Sequence, residues 1–168
     1  MLIALNEETI KLHLDELHDG SGIIYDSEVI SIDNLEIPEN VKIFGVPLLK
    51  IVRELGAKSI VRSIASLGAS MVILNYELSV LQDVLSQEFK SFPKIVKINK
   101  AVAKAGYDFI KKHYNNQFDF KLKKLGEKSR YLLSGNEAAL GAIKAGLKLY
   151  SAYPMTLASS IMHYLATK

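Results

Sequence analysis

Thr156, Ser159 and Ser160 stand just after a Tyr153-Pro154 turn, in the run YPMTLASSIMHYL, at what the sequence predicts to be a helix start. The first turn of a helix leaves backbone N–H groups without intrahelical partners and carries the positive end of the dipole, so hydroxyls there suit an anion such as a carboxylate. The same hydroxyls are ordinary helix caps, and by position alone Thr156 fits that role as well. The other chemistry-bearing residues are scattered. His13 and His18 lie five apart, off the i, i+4 register that puts two metal ligands on one helix face, while His113 and His163 stand alone, so no metal site is expected. Glu7-Glu8 suits the positive end of a helix dipole. No Gly-x-Ser-x-Gly, Walker A or Gly-x-Gly-x-x-Gly run occurs, DGSG at Asp19–Gly22 reads as a turn, and no spacing singles out a nucleophile with its base. A hydrolase therefore has no support.

Composition narrows the field further. About half of the 168 residues are apolar, enough for a packed core, and none is cysteine. Disulfides, thiolate metal sites and iron–sulfur ligation within this chain are thereby excluded, and any cluster has to sit on a partner. The net charge of +3, from 21 basic and 18 acidic residues, is concentrated only around Lys111–His113 and Lys121–Lys124, which gives no basic face for nucleic acid. No apolar run approaches the ~20 residues that span a bilayer, and Met1-Leu2-Ile3 runs into polar Asn6-Glu7-Glu8 without a signal-peptide pattern. A cytoplasmic protein is expected.

The elements that must position these residues are those of an α/β protein. LIALN is a strand ending at a helix cap, EETIKLHLDEL a helix, Ile23–Tyr25 a second strand, and Val41–Pro47 a third. Strands alternating with helices imply a parallel sheet covered by helices. From Pro47 the chain becomes helical. PLLKIVRELG has Pro at its start and Gly56 after its end. SIVRSIASLGASMVILN is too long for a strand and carries Ser63, Ala65, Ser66, Gly68, Ala69 and Ser70, small residues that allow close packing. YELSVLQDVLSQEFK and PKIVKINKAVAKAGYDFIKKHY continue the helical series, and residues 116–130 lose periodicity, gain charge and read as a linker. The last segment reads as a helix capped by Ser134 or Asn136 and ended by Gly146, a buried strand LKLYSAYP, the Pro154 turn, and a second helix.

The residues Gly135-Asn136-Glu137-Ala138, Gly141-Ala142, Ala145-Gly146 and Tyr153-Pro154-Met155-Thr156 resemble the opening of the pyrimidine-binding domain in the alpha subunit of 2-oxoacid:ferredoxin oxidoreductases. LIALNEETIKLHLDEL, GIIYDSEVI, VPLLKIVRELG, SIASLGA and INKAVAKAGYDF resemble the gamma domain of that family, in its usual order. The resemblance implies residues 1–115 as a gamma-type domain without its first βα unit, 116–130 as a linker, and 131–168 as a truncated pyrimidine-binding domain. Gamma and alpha fused in this order favour 2-oxoglutarate over pyruvate. The activity it implies is oxidative decarboxylation of a 2-oxoacid to an acyl-CoA. Thiamine diphosphate, coenzyme A as co-substrate and Fe–S clusters would be assembled in a hetero-oligomer with a beta subunit and ferredoxin. Thr156 then matches a threonine near the oxoacid carboxylate, and Tyr153 and Pro154 match the turn presenting it.

Three departures accompany the match. Leu157 and Ala158 replace the usual proline and first serine of the turn, the glutamate that activates the thiamine would lie beyond Lys168, and the Gly-rich strand–turn–helix that opens the gamma domain is missing. No residue is assigned a catalytic role. A non-catalytic docking module derived from the gamma domain, or a CoA- or nucleotide-binding α/β module, are the other functions these features allow.

Overall fold

The structure, a computed structural model, describes residues 1–114, 118–123, 135–153 and 156–167, and of residues 156 and 157 the backbone alone. The chain divides into two compact units, Met1–Lys124 and Leu125–Lys168. The division falls inside the stretch read as a linker; of that stretch residues 118–123 are described, and Phe118 is buried in the first unit against Phe44.

In the first unit, β1 (Leu2–Ala4), β2 (Gly22–Asp26) and β3 (Lys42–Val46) form a parallel sheet in the order β1-β2-β3. Ile3 lies opposite Ile24, and Ile24 opposite Phe44. Because side chains alternate along a strand, this register divides the apolar residues between two faces. Ile24, Phe44 and Val46 face one core with residues of α2 (Leu48–Glu54), α3 (Arg62–Ile73) and α5 (Pro93–His113). Ala4 and Ile23 face the other with Ile10 of α1 (Glu7–Leu12), Leu17, Ile30 and Val41. The expected α/β architecture, a parallel sheet flanked by helices, is the one observed.

The start of α1 follows its sequence: the Asn6 side chain accepts from the Thr9 N–H at 2.8 Å, and Glu7 and Glu8 occupy the first turn. Its end does not. The single helix expected over EETIKLHLDEL stops at Leu12, and Leu14–Glu16 form a separate 3-10 turn. Leu14 and Leu17 are three apart, a spacing that a 3.0-residue turn serves as well as an α-helix does. Gly56 ends α2 as expected, at φ 63°, with the Ala57 N–H reaching back to the Val52 carbonyl at 3.0 Å.

Tyr25, on β2, presses its hydroxyl toward Gly45 on β3, so that a Cβ on Gly45 would lie 2.8 Å from it. Burial, then Tyr114 and Asp33, raise the Tyr25 phenol above its ordinary value of 10.0. The unfolded chain therefore ionises first, and the contribution of this group to stability, complete below pH 10, is lost as pH rises from there through the folded value. Stability of the parent chain should fall more steeply above pH 10 than that of Tyr25→Phe. Parallel curves in urea titrations would show that Tyr25 ionises as freely in the fold as outside it.

Tyr114, just past α5, both accepts from the Gly45 N–H and donates to the Gly45 carbonyl, each at 3.1 Å. Its ring meets Phe44 edge-on at 5.5 Å. Tyr114→Phe keeps the ring and leaves two backbone groups of β3 without that partner, so a loss of about 1–3 kcal/mol is expected in chemical denaturation. A stability equal to that of the parent would show that water replaces the hydroxyl at no cost.

The close packing expected of the small residues in α3 takes a specific form. A methyl group built on Gly68 would fall inside the Ala103 carbonyl of α5, and one built on Gly106 would fall inside the Ala65 carbonyl of α3. Two glycines thus open each helix to the backbone of the other at one crossing point. Residues near the starts of both helices line one cavity and residues near their ends line another, so the two run in the same sense and diverge from that waist. α4 (Leu78–Glu88) is the return between them.

In the second unit, α6 (Gly135–Lys144) packs with α7 (Thr156–Ala166). Gly146, at φ 99°, ends α6, and the Leu147 N–H reaches the Ala142 carbonyl at 3.0 Å. Asn136 lies inside α6 and so is not its cap; Ser134 lies outside the described residues. The buried strand expected between the helices is not formed over residues 147–153, where Leu149 is 81% exposed. A strand needs a neighbour for its backbone groups, and none is present in this unit's described residues.

Candidate functional site

In parallel α/β sheets, ligand sites form outside the carboxyl ends of the strands. Here that end of the central strand carries Asp26, which is completely buried. One carboxylate oxygen accepts from Arg62 Nη1 at 3.0 Å. The other accepts from the backbone N–H of Leu49, in the first turn of α2, and of Glu28, both at 3.3 Å. The Asp26 carbonyl accepts from Val29 and Ile30, which fixes the turn after the strand. Arg62 reaches this position from the first residue of α3.

With both carboxylate oxygens engaged and a guanidinium beside them, Asp26 ties β2, α2 and α3 together. The contact with Arg62 is single, and Arg62 Nε is buried without a partner. Sequence reasoning missed this pair. Its signal was an acid closing the apolar run GIIYD and a lone cation opening the small-residue helix RSIASLGAS.

The residues that sequence reasoning did single out lie in the second unit. Tyr153 is 79% exposed, Thr156 is the first residue of α7, and Pro154 lies outside the described residues, as does the side chain of Thr156. The helix start expected at Thr156 is present. Two of the four histidines have separate partners: His13 Nδ1 lies 3.0 Å from Glu16, and His113 stacks on Phe109 at 4.3 Å. Among the described residues no group of three or more His, Cys, Asp or Glu is placed to hold a metal ion, and no helix is long and apolar enough to cross a membrane.

A three-stranded parallel sheet covered on both faces, with a glycine-waisted helix pair on one of them, defines the class as α/β. Comparison with known proteins then gives the family: residues 1–109 match that of pyruvate ferredoxin/flavodoxin oxidoreductase, and the chain belongs to it. It is similar to ketoisovalerate oxidoreductase subunit VorA of Methanothermobacter marburgensis, 26% identical over 120 residues, which cover 70% of this chain and 24% of that protein. It is similar also to 2-oxoacid:ferredoxin oxidoreductase 1, subunit alpha, of Sulfurisphaera tokodaii, 30% identical over 106 residues, 62% of this chain and 16% of that one. Among solved structures, the 2-oxoglutarate:ferredoxin oxidoreductase from Magnetococcus marinus, with 2-oxoglutarate, coenzyme A and succinyl-CoA bound, superposes with a TM-score of 0.82 at 28% identity. That match covers 98% of this chain and 29% of the other. The chain thus spans less than a third of the length of each of these relatives. The family expected from the sequence is the one found.

Proposed function

We propose that this chain is part of the alpha subunit of a 2-oxoacid:ferredoxin oxidoreductase, acting in the oxidative decarboxylation of 2-oxoglutarate rather than pyruvate to an acyl-CoA. The observation that carries this reading is the superposition over 98% of the chain on an enzyme named for 2-oxoglutarate. In this reading residues 1–115 are the gamma-type domain, 116–130 the linker and 131–168 the start of the pyrimidine-binding domain. A beta subunit and ferredoxin are the partners, in the cytoplasm.

Thiamine diphosphate, when bound in such an assembly, stabilises the carbanion left by decarboxylation. This chain has no cysteine to ligate an Fe–S cluster, and none of its residues is assigned to thiamine diphosphate. What the chain contributes is orientation. In this reading the backbone at the start of α7 and the Thr156 hydroxyl would meet the oxoacid carboxylate, with Tyr153-Pro154 as the turn that leads into them.

The test is the intact mass of the polypeptide isolated from its own cells, with whatever co-purifies. A longer chain bound to an Fe–S protein supports the reading, whereas a chain of this length alone sinks it. Leu157 and Ala158, which weaken the substrate turn, would then favour the docking module. In the isolated complex, Thr156→Ala should raise KM for 2-oxoglutarate by about tenfold. A hydroxyl that only steadies the first turn of α7, without substrate contact, would instead lower thermal stability and leave KM unchanged.

A further inference from the structure

The net charge of +3 conceals a sharp separation of charge along the chain. Residues 1–40 hold ten Asp and Glu and a single Lys, Lys11, whereas residues 41–168 hold eight acidic and 20 basic residues. The fold turns this separation in sequence into one in space. Residues 1–40 supply α1, the 3-10 turn at Leu14–Glu16 and the stretch carrying Ile30, Ile32, Leu35 and Ile37, all packed on one face of the sheet. Every acid of residues 1–40 except Asp26 is exposed, and Lys11 is bound to Glu7. On the other face packs α5, through Val102 and Ile110. It carries Lys94, Lys97, Lys100, Lys104, Lys111 and Lys112 against one acid, Asp108. At 3.6 residues per turn these lysines fall within about a third of the helix circumference and extend over about 27 Å. That third lies away from the buried Val102, Ala103, Gly106 and Ile110. Among the described residues, only Lys104 of the six has an acidic partner, Asp108.

We propose that the first unit binds a second copy of this chain head to tail, the lysine face of α5 on one copy against the acidic cover, residues 1–40, of the next. Both surfaces of this contact, opposite in sign and largely unneutralised, belong to the same molecule, and complementary potentials of this kind steer encounter and fix orientation. Because they lie on opposite faces of the sheet, the contact is heterologous: a pair retains one free acidic and one free basic face, and association can continue beyond two. Exposed ion pairs contribute little each, so the contact is weak and governed by ionic strength. A protein surface fits the α5 face better than a phosphate backbone does, since no arginine stands on that helix and Asp108 interrupts the stripe. The contact involves the first unit alone and uses none of the residues assigned to the 2-oxoacid.

Sedimentation velocity on the 168-residue chain reads the contact directly. In about 10 mM NaCl, where the Debye length is about 30 Å, the parent should associate as its concentration rises; in about 150 mM, where that length is about 8 Å, the affinity should fall about tenfold. One variant, Lys94→Glu with Lys97→Glu, reverses charge near the start of α5, where Glu also suits the helix dipole. A second, Glu36→Lys with Glu39→Lys, reverses charge at exposed residues of the acidic cover. Each alone should associate about tenfold more weakly than the parent. Their equimolar mixture should regain the parent affinity, since the first keeps the acidic cover and the second keeps the lysine face. The salt dependence of the parent does not depend on either variant folding. A chain that stays monomeric in about 10 mM NaCl overturns the proposal, whether or not its lysine face then takes up duplex DNA. Association that salt leaves unchanged or strengthens, the behaviour of apolar contacts, overturns it too, as does a mixture that associates no better than its separate variants.

Discussion

Alanine at Gly68 is expected to destabilise the first unit by about 2–3 kcal/mol and to lower its melting temperature by roughly 10 °C. The added methyl meets the Ala103 carbonyl, a backbone group that cannot rotate away, so the helices have to separate along α5. Intrinsic helix propensity works in the other direction, since alanine is favoured over glycine by about 1 kcal/mol in a helix interior. The net loss is what remains after that gain. Gly106→Ala should behave alike against the Ala65 carbonyl. The double variant should cost less than the sum, because one widening of the crossing relieves both clashes. Gly141 in α6 provides the control: a Cβ there meets nothing within 4 Å, so Gly141→Ala should be neutral or stabilising. Differential scanning calorimetry on the parent and the four variants decides the matter. A neutral Gly68→Ala would mean that the helices do not touch at this point.

Asp26→Ala should cost about 3–5 kcal/mol, the usual price of removing one partner from a buried ion pair. The change leaves Arg62, whose side chain is about three-quarters buried, without its carboxylate, and the Leu49 and Glu28 N–H groups without their acceptor. Arg62→Met on the parent should cost less. Part of the Asp26 carboxylate would keep its backbone donors, and the guanidinium already has an unsatisfied Nε whose burial is costly. In the double variant Asp26→Ala, Arg62→Met much of the loss should be recovered, giving a coupling energy of about 1–3 kcal/mol in a double-mutant cycle by urea denaturation. Additive losses would show that the two side chains do not act as a pair.

Much of the fold was legible because its signals are local. Ile23–Tyr25 and Val41–Pro47 are short apolar runs between turn residues, and α2 lies between Pro47 and Gly56, so strand and helix ends were marked by residues with one conformational use. The small residues of α3 announced close packing, but not where. The reciprocal glycine, Gly106, lies 38 positions away within AVAKAG and gains its meaning only from the crossing. The strand expected at LKLYSAYP failed for the same kind of reason. Its apolar residues fit a strand, yet pairing depends on a neighbour that a local pattern does not reveal. Of the site, the helix start at Thr156 was legible from the Tyr-Pro turn and the hydroxyls that follow. Asp26 with Arg62 was not, since a buried acid or cation has no periodicity and is defined by what surrounds it in three dimensions.

The hydroxyl of Tyr114 has one more consequence. It meets the N–H and the carbonyl of Gly45 as the backbone of an adjoining strand would, on a glycine whose own lack of a side chain leaves room for Tyr25 on the sheet's face. An open strand margin is a template on which other chains can pair and aggregate. At this point of β3 the template is already filled by a side chain, so a foreign strand would have to displace the phenol before its first rung could form. Tyr114→Phe, beyond its modest cost in stability, would remove that guard.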